Sequence, residues 1–146
     1  MPRVDFHFNV PDLAQYGCRL VRKVRQAGLN IVVHCEDTQR LRHFDQELWR
    51  FAPLSFIPHV SVVHPLAAQT PVLLTANDAE IPPTHRQVLI NLGQRMPPAF
   101  TDYQRVVELV GTDQPSRHAA RERFHSYRAL GIEPRTHDVE ERDGTR

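Results

Sequence analysis

Short β-branched runs recur along this chain with helix-patterned segments between them, and that alternation narrows the fold more than any other feature. Leu29 to Cys35 reads LNIVVHC, Pro71 to Thr75 reads PVLLT and Val88 to Leu92 reads VLINL. Runs this short and this apolar suit strands covered on both faces, the condition of a parallel sheet between layers of helices. Val4 to Val10 (VDFHFNV) alternates apolar and polar residues, which is the period of a strand. Arg105 to Val110 (RVVELV) is rich in β-branched residues and ends in the turn Gly111-Thr112-Asp113, which favours a strand over a helix.

Three segments carry the helical period. Leu13, Tyr16, Leu20, Val21, Val24 and Ala27 recur at helical spacing. Pro11-Asp12 supplies a break and a cap before them, and Gly28 suits the position after a helix end. Leu41, Phe44 and Leu48 mark a second helix, with Asp37 or Thr38 able to cap it, and it fades near Arg50 ahead of Pro53. Asp113 to Leu130 forms a third, with Pro115 in its first turn and Gly131 beyond its end. Pro53 to Pro71 is irregular, and Asp78 to Pro83 is a polar, Pro-rich loop. The alternation predicts a single three-layer α/β domain, with a mostly parallel sheet of about five strands and helices on both faces. The 146 residues suffice for one such domain, here residues 1–132. Residues 133–146 are charged and nearly free of apolar side chains, and are expected to form a flexible tail.

The devices of catalysis are sparse. No G-x-G-x-x-G follows the first strand, no G-x-x-x-x-G-K-[ST] occurs, and no Ser sits in a G-x-S-x-G elbow. Nine histidines (His7, His34, His43, His59, His64, His85, His118, His125 and His137) are dispersed, with no H-x-x-x-H pair. No cofactor, metal or catalytic residue is therefore expected. Cys18 and Cys35 are too few for a disulfide framework and suit buried free thiols in a reducing compartment. The start MPRVDFHFNV shows no charged n-region followed by an apolar h-region, and no apolar run approaches the roughly 20 residues of a membrane span, so a cytoplasmic location is expected. A formal net charge of +1 gives no global drive toward nucleic acid or anionic membrane. Glu36-Asp37 lies just past a strand's carboxyl end, where open α/β sheets bind ligands. It reads as helix-cap chemistry or, alternatively, as the carboxylate pair of a small nucleotide- or metal-dependent hydrolase.

Two remaining features resemble binding surfaces. On the second helix Trp49 lies about 80° from Leu41, off the stripe of Leu41, Phe44 and Leu48, and Phe56, Pro58 and His59 follow in the exit loop. A Trp at the margin of a core face suits a protein-contact anchor, and equally a ring that closes the core's edge. On the third helix Ala120, Phe124 and Tyr127 form an apolar stripe, and Arg117, Arg121 and Arg128 form a row beside it. Guanidiniums along an aromatic stripe suit an acidic peptide with a hydrophobic end, and also a core face flanked by solvated arginines.

Several segments in order resemble the DNA polymerase III chi subunit family. They are Val4 to Val10, VVHCED (Val32 to Asp37), FDQELWRFAPLSFIPH (Phe44 to His59), Pro71-Val72-Leu73, VLINL, VVELV and A-R-E-R-F-x-x-Y-R (Ala120 to Arg128). The resemblance covers roughly residues 3 to 132. It implies a three-layer α/β fold and a non-catalytic accessory subunit of the polymerase III holoenzyme, associated with its clamp loader, that meets DNA only through partners. Two partners are implied. The acidic C-terminal tail of single-stranded-DNA-binding protein would take Val110, Arg121 and Phe124, with Arg117 in support and Tyr127 and Arg128 on the same face. The psi subunit would take Trp49 and Phe56, with Pro58 and His59 beside them. Phe124 stands where some members have Tyr, and His125 where Lys can occur. After His59 the chain reads VSVVHPLAAQ where members often carry a Gly-rich segment.

Overall fold

Each of the β-branched runs forms a strand, and each helical period forms a helix. A computed structural model describes residues 1–51, 57–77 and 81–140. Their order is β1 (Arg3–Val10), α1 (Leu13–Gln26), β2 (Ile31–His34), α2 (Thr38–Arg50), β3 (His59–Ser61), β4 (Val72–Thr75), β5 (Val88–Asn91), β6 (Arg105–Gly111), α3 (Gln114–Ala129) and β7 (Arg135–Asp138). The strands lie side by side as β3-β4-β2-β5-β6-β1-β7, and every pair is parallel.

Helix ends fall where the caps require. The carboxylate of Asp12 accepts from the Gln15 N–H at 3.0 Å, Asp37 from Gln39 (3.0 Å) and Arg40 (3.2 Å), and Asp113 from Ser116 at 3.1 Å. Each satisfies donors that the first helical turn leaves without a partner. Gly28 (φ 81°) and Gly131 (φ 88°) take the left-handed conformation that follows a helix end.

The alternation within each strand divides the core into two layers. Ile31, Val33, Val72, Leu74, Val88, Ile90, Val107 and Leu109 face α1 and α2, where Cys18, Val21, Phe44 and Leu48 meet them. Val4, Phe6, Val32, Leu73, Leu89, Val106 and Val110 face the other way, against Ala120 and Tyr127 of α3 and against Phe100, Tyr103 and Ile132. Each fully buried apolar side chain contributes about 1.5–3 kcal/mol. Cys18 and Cys35 are free and buried, and burial pushes their thiols up to about 12 and about 11.

Among the described residues the sheet has seven strands where about five are expected from the sequence. The additional ones are its edges. β3 holds three residues inside the stretch that shows no period, and it is held by backbone pairing to β4. β7 lies in the segment expected to be a tail, so the sheet continues past residue 132. Arg135 to Asp138 pair with Asp5 to Phe8 of β1. Asn9 Nδ2 donates to Asp138 Oδ1 at 3.1 Å, and Val139 beyond is 2% exposed. No described helix is long and apolar enough to cross a membrane.

Candidate protein-binding surfaces

Helix α3 lies on the sheet with Ala120 and Tyr127 inward and with Arg117, Arg121 and Arg128 exposed. Phe124 sits at the margin, half-buried, its ring 5.4 Å from that of Phe6 on β1. Val110 is buried below, in the same apolar layer. The guanidinium of Arg117 reaches the Asn9 side-chain oxygen at 2.9 Å, and Arg128 pairs with Glu133 at 3.3 Å. Among the described residues Arg121 pairs with no acid, so its donors face solvent.

Tyr127 does not belong to this surface. Its ring is 0% exposed and sits edge-on to Phe6 and Phe100, and its hydroxyl donates to Glu108 Oε2 at 2.7 Å. The expected aromatic stripe is therefore core at Tyr127 and surface margin only at Phe124. Burial, with the Glu108 carboxylate adjacent, pushes the phenol well above its ordinary range, so the hydroxyl remains a donor.

The same Glu108 holds α3 in place. It projects from the middle of apolar β6 and is fully buried. Arg123 Nε donates to its Oε1 at 3.0 Å and Asn91 Nδ2 donates to the same oxygen at 2.8 Å. Arg123 Nη1 donates to the Gln94 carbonyl at 2.8 Å. A lone acid inside VVELV demands such a partner, and that was the signal that could have set Arg123 apart from its exposed neighbours Arg121 and Arg128. Asn9 is a second residue that periodicity misses. It takes φ 60°, which Asn tolerates, at an irregularity in the β1–β6 register. Its amide thereby links Arg117 on α3 to Asp138 on β7.

The end of α2 forms the second surface. Phe44 and Leu48 are buried, and Trp49, whose angle from the stripe left its exposure open, is 49% exposed. Its ring lies on that of His59, centroids 4.1 Å apart. His59 is 2% exposed, with Nδ1 2.7 Å from the Ile57 carbonyl and Nε2 3.3 Å from Asp45 Oδ1. It is thus a support beneath Trp49 rather than part of the exposed face. Pro58 beside it is exposed, and Phe56 lies outside the described residues.

Glu36 and Asp37 do not form a catalytic pair. Asp37 caps α2, and the Glu36 carboxylate accepts from the backbone N–H groups of Gln94 (2.9 Å) and Arg95 (3.1 Å). Burial opposes ionisation of Glu36, but those N–H groups outweigh it and hold the carboxyl below its ordinary range. A Cβ at Gly93 would collide with this carboxylate, so any side chain there would push Glu36 off its N–H donors. A crevice of about 320 Å³ opens at the carboxyl ends of the strands, lined by Val10, Asp12, Arg40, His43, Leu92 and Asp113, and Glu36 is not in its wall. Among the described residues no group of three or more His, Cys, Asp or Glu is placed to hold a metal ion.

The sequence profile of the family described as "DNA polymerase III chi subunit, HolC" matches residues 1–135. The DNA polymerase III subunit chi of Pseudomonas aeruginosa is 35% identical over 142 residues, covering 94% of this chain and 96% of that protein. The proteins of the same name from Haemophilus influenzae and Escherichia coli are 25% and 26% identical, over 86% and 81% of this chain and 86% and 80% of their own lengths. A match across both core layers and both surfaces leaves one conclusion: this chain belongs to the DNA polymerase III chi subunit family, an accessory subunit of the polymerase rather than its catalytic one.

Proposed function

We propose that this protein couples the replicase to coated single-stranded DNA. It does so by binding the acidic C-terminal tail of single-stranded-DNA-binding protein on α3 and the clamp loader's psi subunit at the end of α2. The observation that carries the reading is the arginine row itself: Arg117 and Arg121 exposed on one helix face, flanking the half-buried Phe124.

The tail's terminal carboxylate pairs with Arg121, whose guanidinium offers a planar fork of donors. Its last apolar ring packs against Phe124 where that side chain rests on Phe6. Arg117 and Arg128 attract the acidic residues upstream. Val110 and Tyr127 act from below, as the buried floor that fixes the height of Phe124. A charge-assisted hydrogen bond contributes about 1.5–3 kcal/mol, so one short peptide binds on the order of micromolar, and more weakly as salt screens the exposed charges. Many tails on one strand then raise avidity without new contacts.

At the other surface Trp49 is the anchor, with Pro58 beside it and His59 fixing the ring from beneath. Large half-exposed aromatics of this kind dominate interface energies. α2 and α3 cover opposite faces of the sheet, and β3 and β7 are its opposite edges. Both partners therefore fit at once.

The test is fluorescence anisotropy of a labelled peptide with the tail's sequence. Binding on the order of micromolar by the wild type is expected, weakened at least tenfold by Arg121→Ala, about 1.4 kcal/mol. An affinity indifferent to Arg121→Ala would remove the α3 site from the proposal.

A further inference from the structure

Strand β1 turns its apolar residues Val4 and Phe6 toward α3 and its polar residues Arg3, Asp5 and His7 toward the layer of α1. α1 lies along the inner strands, so between it and the β1–β7 edge a groove of about 510 Å³ remains open. Arg3, Arg105 and His137 line its sheet side, and Arg19 and Lys23 its helix side, while Leu20, Val24 and Val139 give an apolar floor. None of the residues assigned above to either partner lines it.

The charge of this groove is out of balance. Among the described residues its wall holds four permanent cations, Arg3, Arg19, Lys23 and Arg105, and no acid. Arg3 and Arg105 are register neighbours on adjacent parallel strands, so two like charges stand side by side. The one carboxylate beneath them, Asp5, is fully buried and serves both. Arg3 Nε lies 3.1 Å and Arg105 Nε 3.3 Å from the same oxygen, Oδ2, with His137 Nε2 3.4 Å from Oδ1. Arg3 holds Asp5 side-on, through Nε and through Nη2 at 3.5 Å from Oδ1, and Arg105 holds it through Nε, which leaves Nη1 of Arg3 and both outer nitrogens of Arg105 for a ligand; their side chains are 48% and 33% exposed. Anchored forks of this kind suit a second carboxylate, and the like charges favour it.

From the unbalanced cations, the anchored guanidiniums and the apolar floor we infer that this groove is a docking site for an extended acidic peptide segment of a partner protein. A carboxylate of the peptide bridges Arg3 and Arg105, and an apolar side chain enters between Leu20 and Val24. β7 is the last strand of the sheet, and among the described residues its outer backbone edge pairs with no strand, so an extended segment can lie along it. Nucleic acid is the less suited occupant. The chain's net charge is +1, and Tyr16, the aromatic ring in the groove with Arg19 over it, is engaged by the His7 ring nitrogen at 2.5 Å.

The test uses the full chain and a panel of labelled short peptides in which Asp alternates with Leu or Phe, with labelled oligothymidylate as the comparison. The substitutions are Arg19→Glu with Lys23→Glu, both on the exposed side of α1, and separately Arg105→Gln. An unchanged melting temperature of the α1 variant shows that the fold persists. Expected is peptide binding that the α1 double variant weakens at least tenfold, that Arg105→Gln also weakens, and that Arg121→Ala leaves unchanged. Three results would overturn the inference: no member of the panel binds, binding is lost only in Arg121→Ala and so belongs to α3, or oligothymidylate alone binds and loses affinity in the α1 variant. Because Arg121 and the α1 pair are separate readouts, failure here and failure of the tail site are told apart.

Discussion

Two arginines two positions apart on α3 have opposite roles. Arg121 is exposed, whereas Arg123 is 4% exposed and carries the only guanidinium on the buried Glu108 carboxylate among the described residues. Removing one partner of a buried ion pair leaves an uncompensated charge and costs about 3–5 kcal/mol, whereas an exposed substitution stays within about 0.5 kcal/mol. Arg123→Met is therefore expected to lower the urea midpoint sharply and Arg121→Ala to leave it nearly unchanged, and equal losses would contradict these placements. The sequence shows the row of arginines but not which member turns inward. That depends on a partner 15 residues away on β6, which helical spacing does not encode. Tyr127 belongs to the same lesson. Its i, i+7 relation to Ala120 places it correctly on the apolar stripe, but only its bond to Glu108 shows that the stripe at that point is core. Glu36 was legible as a capping-type acid from its place before a helix, yet its actual donors come from the distant Gln94–Arg95 backbone.

At the scale of elements, the inner strands and all three helices could be read directly because their signal is burial. β2, β4 and β5 are buried at every position. The edges could not, because β3 and β7 are held by backbone pairing and polar side chains, which leave no apolar period. β7 in particular joins the sheet through a strand of Arg, Thr, His and Asp, and it carries His137 to Asp5. Truncation after Glu133 is accordingly expected to lower the urea midpoint, since it uncovers the flank of β1 and takes His137 from the buried Asp5 carboxylate. A midpoint identical to that of the full chain would show that residues 135 onward add nothing to the domain. Trp49 lies between these cases. Its angle on α2 predicts that it leaves the core stripe, but its support by His59 arises from β3, an element with no sequence signal.

For the molecule as a whole, acid should weaken the fold in a defined direction. Burial raises the carboxyl of Asp5, but His137, Arg3 and Arg105 outweigh it, and Glu36 behaves likewise against its backbone donors, so both are held below their ordinary values. A depressed carboxyl contributes stability that is fully present above its unfolded value, about 3.9 for Asp and 4.3 for Glu, and that is lost as pH falls through the lower folded value. The melting temperature is expected to be level above about pH 5 and to fall below about pH 4; a rise in that acid range would contradict the assignment. The proposed bridging role rests on the separation of α2 and α3 across the sheet, and one experiment addresses it directly. Binding of the labelled tail peptide and of the psi subunit is measured on the wild type, on Arg121→Ala and on Trp49→Ala, each alone and with the other partner saturating. Bridging predicts that Arg121→Ala loses the peptide and keeps psi, that Trp49→Ala loses psi and keeps the peptide, and that saturating either partner leaves the other's affinity unchanged. Competition between the two partners, or loss of both in either variant, would contradict it.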